Sequence, residues 1–142
     1  MRLFVDTWGW IAVHDRSEKP YTPAVRCLEE RMRARGRVIT SDYVLDELIT
    51  NLFGRRPFEE AWRFVEGLLA GAESRFVTIE RVTESRFRTA LEMRDRFRDK
   101  PRISFTDLTS MAIMQELRIS DVLTADVHFS QVGLGFRRYP EM

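Results

Sequence analysis

Asp6, Glu47, Asp107 and Asp126 each stand beside an apolar stretch rather than in a solvated run of charge. Asp6 closes Leu3-Phe4-Val5 and Asp126 follows Val122-Leu123-Thr124-Ala125, so both fall where a buried strand hands over to a loop. Glu47 and Asp107 lie inside helical patterns. Carboxylates crowded together without a cation repel, and several would have to take up protons to coexist. A divalent metal removes that conflict, and an all-oxygen ligand set favours Mg²⁺ or Mn²⁺ over zinc. His14 and His128 lack zinc-type spacing and read as packing or surface residues. Gly9 is isolated, and neither GxxxxGK[ST] nor GxGxxG occurs, so nucleotide-fuelled chemistry is not expected.

Each acid also has a plain structural role open to it. Asp6 suits the N-cap of a helix beginning at Thr7, and Asp126 a turn beside Val127. Ser104-x-x-Asp107 has the form of a capping box, with Asp where Glu or Gln is commoner. Asp46, about a hundred degrees round the helix from Glu47, reads as a solvated surface acid. The metal reading gains weight only if all four acids converge, and that depends on the elements that carry them.

Residues 2–5 read as a short strand buried on both faces. A helical stretch runs from Thr7 to about Asp15, and Glu18-Lys19-Pro20 breaks it. Ala24, Val25, Leu28 and Met32 mark a second helix over roughly 21–35, with Gly36 as its stop. Val38-Ile39-Thr40 is the next strand. Ser41 caps a third helix, which carries Val44, Leu45, Leu48 and Leu52 and ends at Gly54. Pro57 suits the first turn of a fourth helix, whose stripe is Phe58, Ala61, Trp62, Val65, Leu68 and Leu69.

Phe76 to Ile79 is strand-like, and helical periodicity returns from Val82 to about Phe97 with Phe87, Leu91 and Arg94 on related faces. Arg94 to Arg102, with Pro101, reads as a basic loop. Ser104 opens a helix through Leu108, Met111, Ala112 and Leu117; Val122-Leu123-Thr124 is a strand, and Gly133 to Tyr139 a final edge segment. This alternation predicts a three-layer α/β fold with a mainly parallel central sheet flanked by helices. The crevice of such a sheet lies beyond the carboxyl ends of the strands, where strand order reverses, and right-handed crossovers bring helix N-termini to the same edge. Asp6 and Asp126 point into it if their strands are neighbours. Asp107, in a first helical turn, reaches the same space, and Glu47 borders the buried face of its helix.

A chain of 142 residues, 44% hydrophobic and 11% aromatic, suits a single domain over residues 1–142. Its 23 Lys+Arg almost cancel its 22 Asp+Glu, so whole-molecule charge says nothing about a nucleic-acid partner. Lys19 and Lys100 are the only lysines. The remaining cations are arginines, which grip phosphate bidentately, although an arginine-rich genome or a heat-adapted surface gives the same composition. Cys27 sits in an amphipathic pattern and reads as a core thiol. No apolar run approaches the ~20 residues of a membrane span, and no signal-peptide pattern opens the chain, so a cytosolic protein without a membrane partner is expected.

Four motifs carry a resemblance. Phe4-Val5-Asp6-Thr7, Thr40-Ser41-x-x-Val44-Leu45-x-Glu47-Leu48, Ser104-Phe105-Thr106-Asp107 and Leu123-Thr124-Ala125-Asp126-x-His128-Phe129 occur in that order over the full length. Together they resemble the PIN-domain ribonucleases, most of all the VapC-type toxins of prokaryotic toxin-antitoxin pairs. The resemblance implies a PIN fold and an acidic site for Mg²⁺ or Mn²⁺. Asp6 and Asp107 would be the leading ligands, Asp126 would complete the site directly or through water, and Glu47 would help hold a second ion or orient the attacking water. Thr7, Thr106 and Thr124 would fix the rotamers of the acids beside them, with capping as their alternative use. Attack on phosphorus would be in line, without a covalent enzyme intermediate, leaving 5′-phosphate and 3′-hydroxyl ends.

Arg55 and Arg56, and also Arg98, Lys100 and Arg102, are candidates to contact an RNA backbone. The fourth-helix stripe is open to use as core, as a homodimer surface or as a groove for a cognate antitoxin, partners that the resemblance implies. Other readings are a PIN module that binds RNA or protein without cutting, or a processing nuclease that is not a toxin. A phosphohydrolase or receiver-like phosphoacceptor fits poorly, because Asp6-Thr7-Trp8 lacks a second acid and Asp6 has no adjacent acidic pair.

Overall fold

The structure is a computed structural model and describes residues 2–15, 21–33 and 35–139. Five strands form one sheet in the order β3-β2-β1-β4-β5: β1 Leu3–Val5, β2 Val38–Ser41, β3 Val77–Glu80, β4 Asp121–Leu123 and β5 Arg137–Tyr139. Every pairing is parallel. The flanking helices are α1 Thr7–His14, α2 Tyr21–Met32, α3 Asp42–Arg55, α4 Phe58–Glu73, α5 Glu84–Arg96, α6 Phe105–Leu117 and the short α7 His128–Gln131.

The order reverses at β1. The chain steps outward from β1 through β2 to β3, then returns to the other side of β1 for β4 and β5, so the crevice opens between β1 and β4. Leu3 pairs with Asp121, Phe4 with Val122 and Val5 with Leu123, which makes the two acid-bearing strands direct neighbours.

The continuous apolar runs behave as buried strands should. Leu3, Phe4 and Val5 are fully buried, as are Val122 and Leu123. On α6 every residue from Leu108 to Met114 is buried, including Thr109 and Ser110, whose hydroxyls donate back to Thr106 O at 2.6 and 3.1 Å. A helical stretch buried on all sides belongs inside the molecule, and the middle of α6 is that stretch.

Several boundaries differ from the sequence reading. The third helix passes through Gly54 and ends at Arg55, because Arg56 precedes Pro57 and is pushed into extended backbone (φ −117, ψ 157). Pro57 is the N-cap of α4, not its first helical residue. The second helix stops at Met32, and Gly36 lies beyond it in a turn with φ +79. The Glu18-Lys19-Pro20 break lies outside the described residues. α7 was not anticipated. Phe87 and Leu91, read on related faces of this helix, are exposed, while Ala90, Met93 and Phe97 go inside. Arg94 is half-buried and pins the following loop by donating to Phe97 O, Lys100 O and Ile103 O at 2.7–2.8 Å. No helix among the described residues is long and apolar enough to cross a membrane.

Candidate metal centre

Asp6 leaves β1 as the N-cap of α1, and its Oδ1 accepts the Gly9 N–H at 2.8 Å. The capping use and the site use coincide in one side chain. Gly9 makes the arrangement possible: a Cβ there would lie 2.6 Å from Leu123 O and 2.8 Å from Val5 Cγ1. The first turn of α1 therefore presses directly on β1 and β4, and only glycine permits the approach. Sequence reasoning set Gly9 aside as isolated; its place three residues after an N-cap acid was the available signal.

Thr124 lies between two of the acids. Its buried Oγ1 accepts the Asp126 N–H at 3.0 Å, and the hydroxyl donates to Asp6. Asp126 Oδ1 accepts the His128 N–H at 2.9 Å, which closes the turn into α7. His128 Nδ1 also stands 2.9 Å from that oxygen, close enough for an ion pair but not aligned for a hydrogen bond. This His128 contact, two residues along from Asp126, is the other feature the sequence reading did not assign.

Asp107 sits in the first turn of α6, and its N–H donates to the cap Ser104 Oγ at 3.0 Å. The backbone half of a capping box is thus present. The Asp107 carboxyl is instead hydrogen-bonded to that of Asp126. Glu47 is half-buried on α3, whose N-cap Ser41 accepts the Val44 N–H at 3.1 Å; Asp46 beside it is exposed.

Electrostatics ties the four together. Burial pushes the Asp6 carboxyl up to about 7, opposed by the Thr124 and Gly9 hydrogen bonds and reinforced by the charges of Asp126 and Glu47. Asp107 is pushed up to about 8 by burial, by its hydrogen bond with Asp126, and by the charges of Asp6, Asp126 and Glu47. Each of the four acids appears among these interactions, so each lies within electrostatic reach of Asp6 or Asp107. They do not form a finished cage: among the described residues no three acidic, imidazole or thiol side chains are arranged to hold a metal ion. The crowding of carboxyls favours the protonated form of Asp107, the donor of its hydrogen bond to Asp126.

The donor set suits a hard divalent ion. It is all oxygen, three of its members stand at helix N-termini or beyond strand ends, and two are pushed toward the protonated form by burial and by neighbouring carboxylates. The buried Thr7 Oγ1, next to Asp6, has no partner among the described residues.

The remaining candidates are spread around the molecule. Arg55 is exposed, with Nε on Asn51 Oδ1 at 2.7 Å, whereas Arg56 is half-buried and paired to Asp15 at 3.1 Å and Glu60 at 3.7 Å. Arg98 pairs with Asp95 and Lys100 with Asp99, while Arg102 is exposed. His14 is lodged against Phe64 and Glu60, and burial lowers its pKa. Cys27 is a half-buried thiol pushed up by burial, as befits an unreactive packing residue.

The comparisons with known proteins agree with this architecture. The PIN domain family matches residues 3–134. The crystal structure of VapC20 from Mycobacterium tuberculosis, a sarcin-ricin-loop-cleaving toxin, superposes with a TM-score of 0.77 at 30% identity, covering 92% of this chain and 95% of that one. VapBC2 from Rickettsia felis, bound to a DNA fragment from its promoter, superposes at 0.74 with 16% identity, covering 97% and 98%. No curated protein matches the chain in sequence. The chain belongs to the PIN-domain family, and VapC-type toxins are among its structural relatives.

Proposed function

We propose that the protein is a Mg²⁺- or Mn²⁺-dependent endoribonuclease, the toxin of a VapBC-type pair. The observation that carries this reading is the gathering of Asp6, Glu47, Asp107 and Asp126 around the β1–β4 crevice, with two of them pushed up to about 7 and 8. Asp6, Asp107 and Asp126 would hold the metal. When bound, a divalent cation supplies positive charge against the developing phosphate charge and makes water a stronger acid. Thr124 and the Gly9 N–H hold Asp6, Thr124 also holds Asp126, and Glu47 would take a proton from an attacking water or position it. Arg102 is exposed, and Arg55 is exposed with its Nε on Asn51, so both guanidinium groups would meet the RNA backbone.

The partners follow the same reading. Phe58 and Trp62 stack on the surface of α4 with ring centroids 5.7 Å apart, 61% and 49% exposed, and Phe53 closes on Phe58 at 5.3 Å. Ala61 and Leu68 of the same stripe are core. The exposed remainder is the surface for a second copy of the chain or for a cognate antitoxin. The test of the activity is cleavage of structured RNA by purified protein with Mg²⁺ or Mn²⁺. Loss of cutting in Asp6→Asn supports the reading, and equal cutting by that variant overturns it.

A further inference from the structure

The sheet has a second edge, chemically opposite to the first. Because all five strands run the same way, their N-termini share one edge, and an arginine stands at each entry. Arg2 and Arg37 directly precede β1 and β2, Arg75 and Arg118 lie in the turns leading to β3 and β4, and Arg137 begins β5. Backbone hydrogen bonds hold these entries side by side: Leu3 N–H to Arg37 O at 2.7 Å, Gly36 N–H to Arg75 O at 3.2 Å, and Arg137 N–H to Ser120 O at 2.8 Å. Arg2, Arg118 and Arg137 line one pocket of about 270 Å³ there. Its acid, Asp121, is buried and already held by Arg31 at 3.2 Å and Arg137 at 2.9 Å.

Arg75 and Arg118 are the informative pair. With φ of 67 and 56 they are the non-glycine residues found in left-handed backbone among the described residues. Helix exits of this kind favour glycine, which adopts the conformation without strain. Both side chains are exposed and, among the described residues, make no hydrogen bond or ion pair; the same holds for Arg37. A cation beyond the end of α4 or α6 does complement the helix dipole. One placed in the last turn would do so without left-handed backbone, and neither helix has a basic residue there.

We propose that this N-terminal edge is a second phosphate-binding surface, on which Arg37, Arg75 and Arg118 hold the backbone of an RNA remote from the carboxylate crevice. The crevice presents acids to a polyanion, and the chain as a whole carries only +1, so attraction has to come from a local concentration of arginine. Neighbouring strands lie about 4.8 Å apart, which sets the strand entries and the arginines they carry out in a row, a geometry for a linear polyanion rather than a single compact anion. The inference rests on RNA being the substrate, but binding at this edge can be read without cleavage.

The test is fluorescence anisotropy of a labelled RNA hairpin in EDTA, with the chain unchanged and with Arg75→Gly/Arg118→Gly. Glycine relieves both left-handed positions, so the double variant keeps its melting temperature or gains, and lost binding is not lost folding. The double variant is expected to bind about tenfold more weakly at about 0.1 M salt, with a salt slope shallower by about 1.4–1.8 if two phosphate contacts are lost from the loop or the stem. Cleavage of a short single strand, too small to span both edges, stays unchanged. Equal affinity and slope in the variant overturns the proposal. So does tighter binding of poly-glutamate than of RNA at the same arginines, which would assign the edge to an acidic polypeptide. Arginine-dependent binding by a chain that never cuts would leave this inference standing and sink the catalytic one.

Discussion

Thr124 Oγ1 accepts the Asp126 N–H at 3.0 Å while its hydroxyl proton is directed to Asp6, so one side chain couples the acids that follow two neighbouring strands. Thr124→Val keeps the shape and removes both bonds. The Asp126 N–H loses its partner, and Asp6 loses a contact that favours its ionised form. We expect cleavage or apparent metal affinity to fall about 10–100-fold, the range seen when groups supporting metal ligands are removed. Thr124→Ser should recover most of it. Rate measured against Mg²⁺ concentration is the readout, and a Val variant with the original metal dependence would remove Thr124 from the site.

Gly9→Ala should be the most damaging single methyl in the molecule. The new Cβ would stand 2.6 Å from a backbone carbonyl of β4, which has no freedom to move aside, and 2.8 Å from Val5 Cγ1. Overpacking of this kind costs about 1–3 kcal/mol. It also lifts α1, and with it the N–H that holds Asp6. Urea unfolding should show the lower midpoint, and cleavage should fall further than the stability loss explains. A variant as stable and active as the parent would show that α1 does not position Asp6.

How much of this was legible in the sequence follows from range. Asp6 at the end of Leu3-Phe4-Val5 and Asp107 behind Ser104 were readable because caps and strand ends are local signals. That β1 and β4 are neighbours, which brings Asp6 and Asp126 together, was a conditional inference that only the strand order settles. Gly9 was passed over because its significance is a contact with residue 123, and no local pattern records a close approach. Gly54 misled for the opposite reason: a glycine near a helix end reads as a stop, while the actual stop came from the backbone clash at Arg56-Pro57. Phe87 and Leu91 had helical spacing but face outward, since periodicity fixes a face without saying what covers it.

Trp62→Ala separates the surface from the core. Its ring is 49% exposed and stacks on Phe58, itself 61% exposed, so truncation removes little buried area. The folded chain should lose no more than about 1 kcal/mol. If this face receives a second copy, sedimentation should show the variant shifted toward monomer at concentrations where the parent is dimeric. If it receives an antitoxin, co-purification should fail while the dimer persists. Unchanged assembly and unchanged antitoxin binding would leave the stack without a partner.

The metal-free fold should lose stability as pH rises, the reverse of ordinary acid denaturation. Asp6 and Asp107 start from 3.8 when unfolded and are pushed up to about 7 and about 8 in the folded chain. Between those values the folded state binds more protons than the unfolded one, so the contribution is complete below the unfolded value and disappears as pH passes 7 and then 8. In EDTA the chain should be weaker at about pH 8.5 than at about pH 6 by something on the order of 2–5 kcal/mol. Asp107→Asn should flatten that decline and raise stability at the alkaline end. Saturating Mg²⁺ should reverse it, because a cation held by the ionised carboxylates would add its free energy of binding to that of folding. Urea midpoints at the two pH values, with EDTA and with MgCl₂, give all four corners of this cycle. Equal midpoints in EDTA would mean that the four acids do not crowd one another as their positions imply.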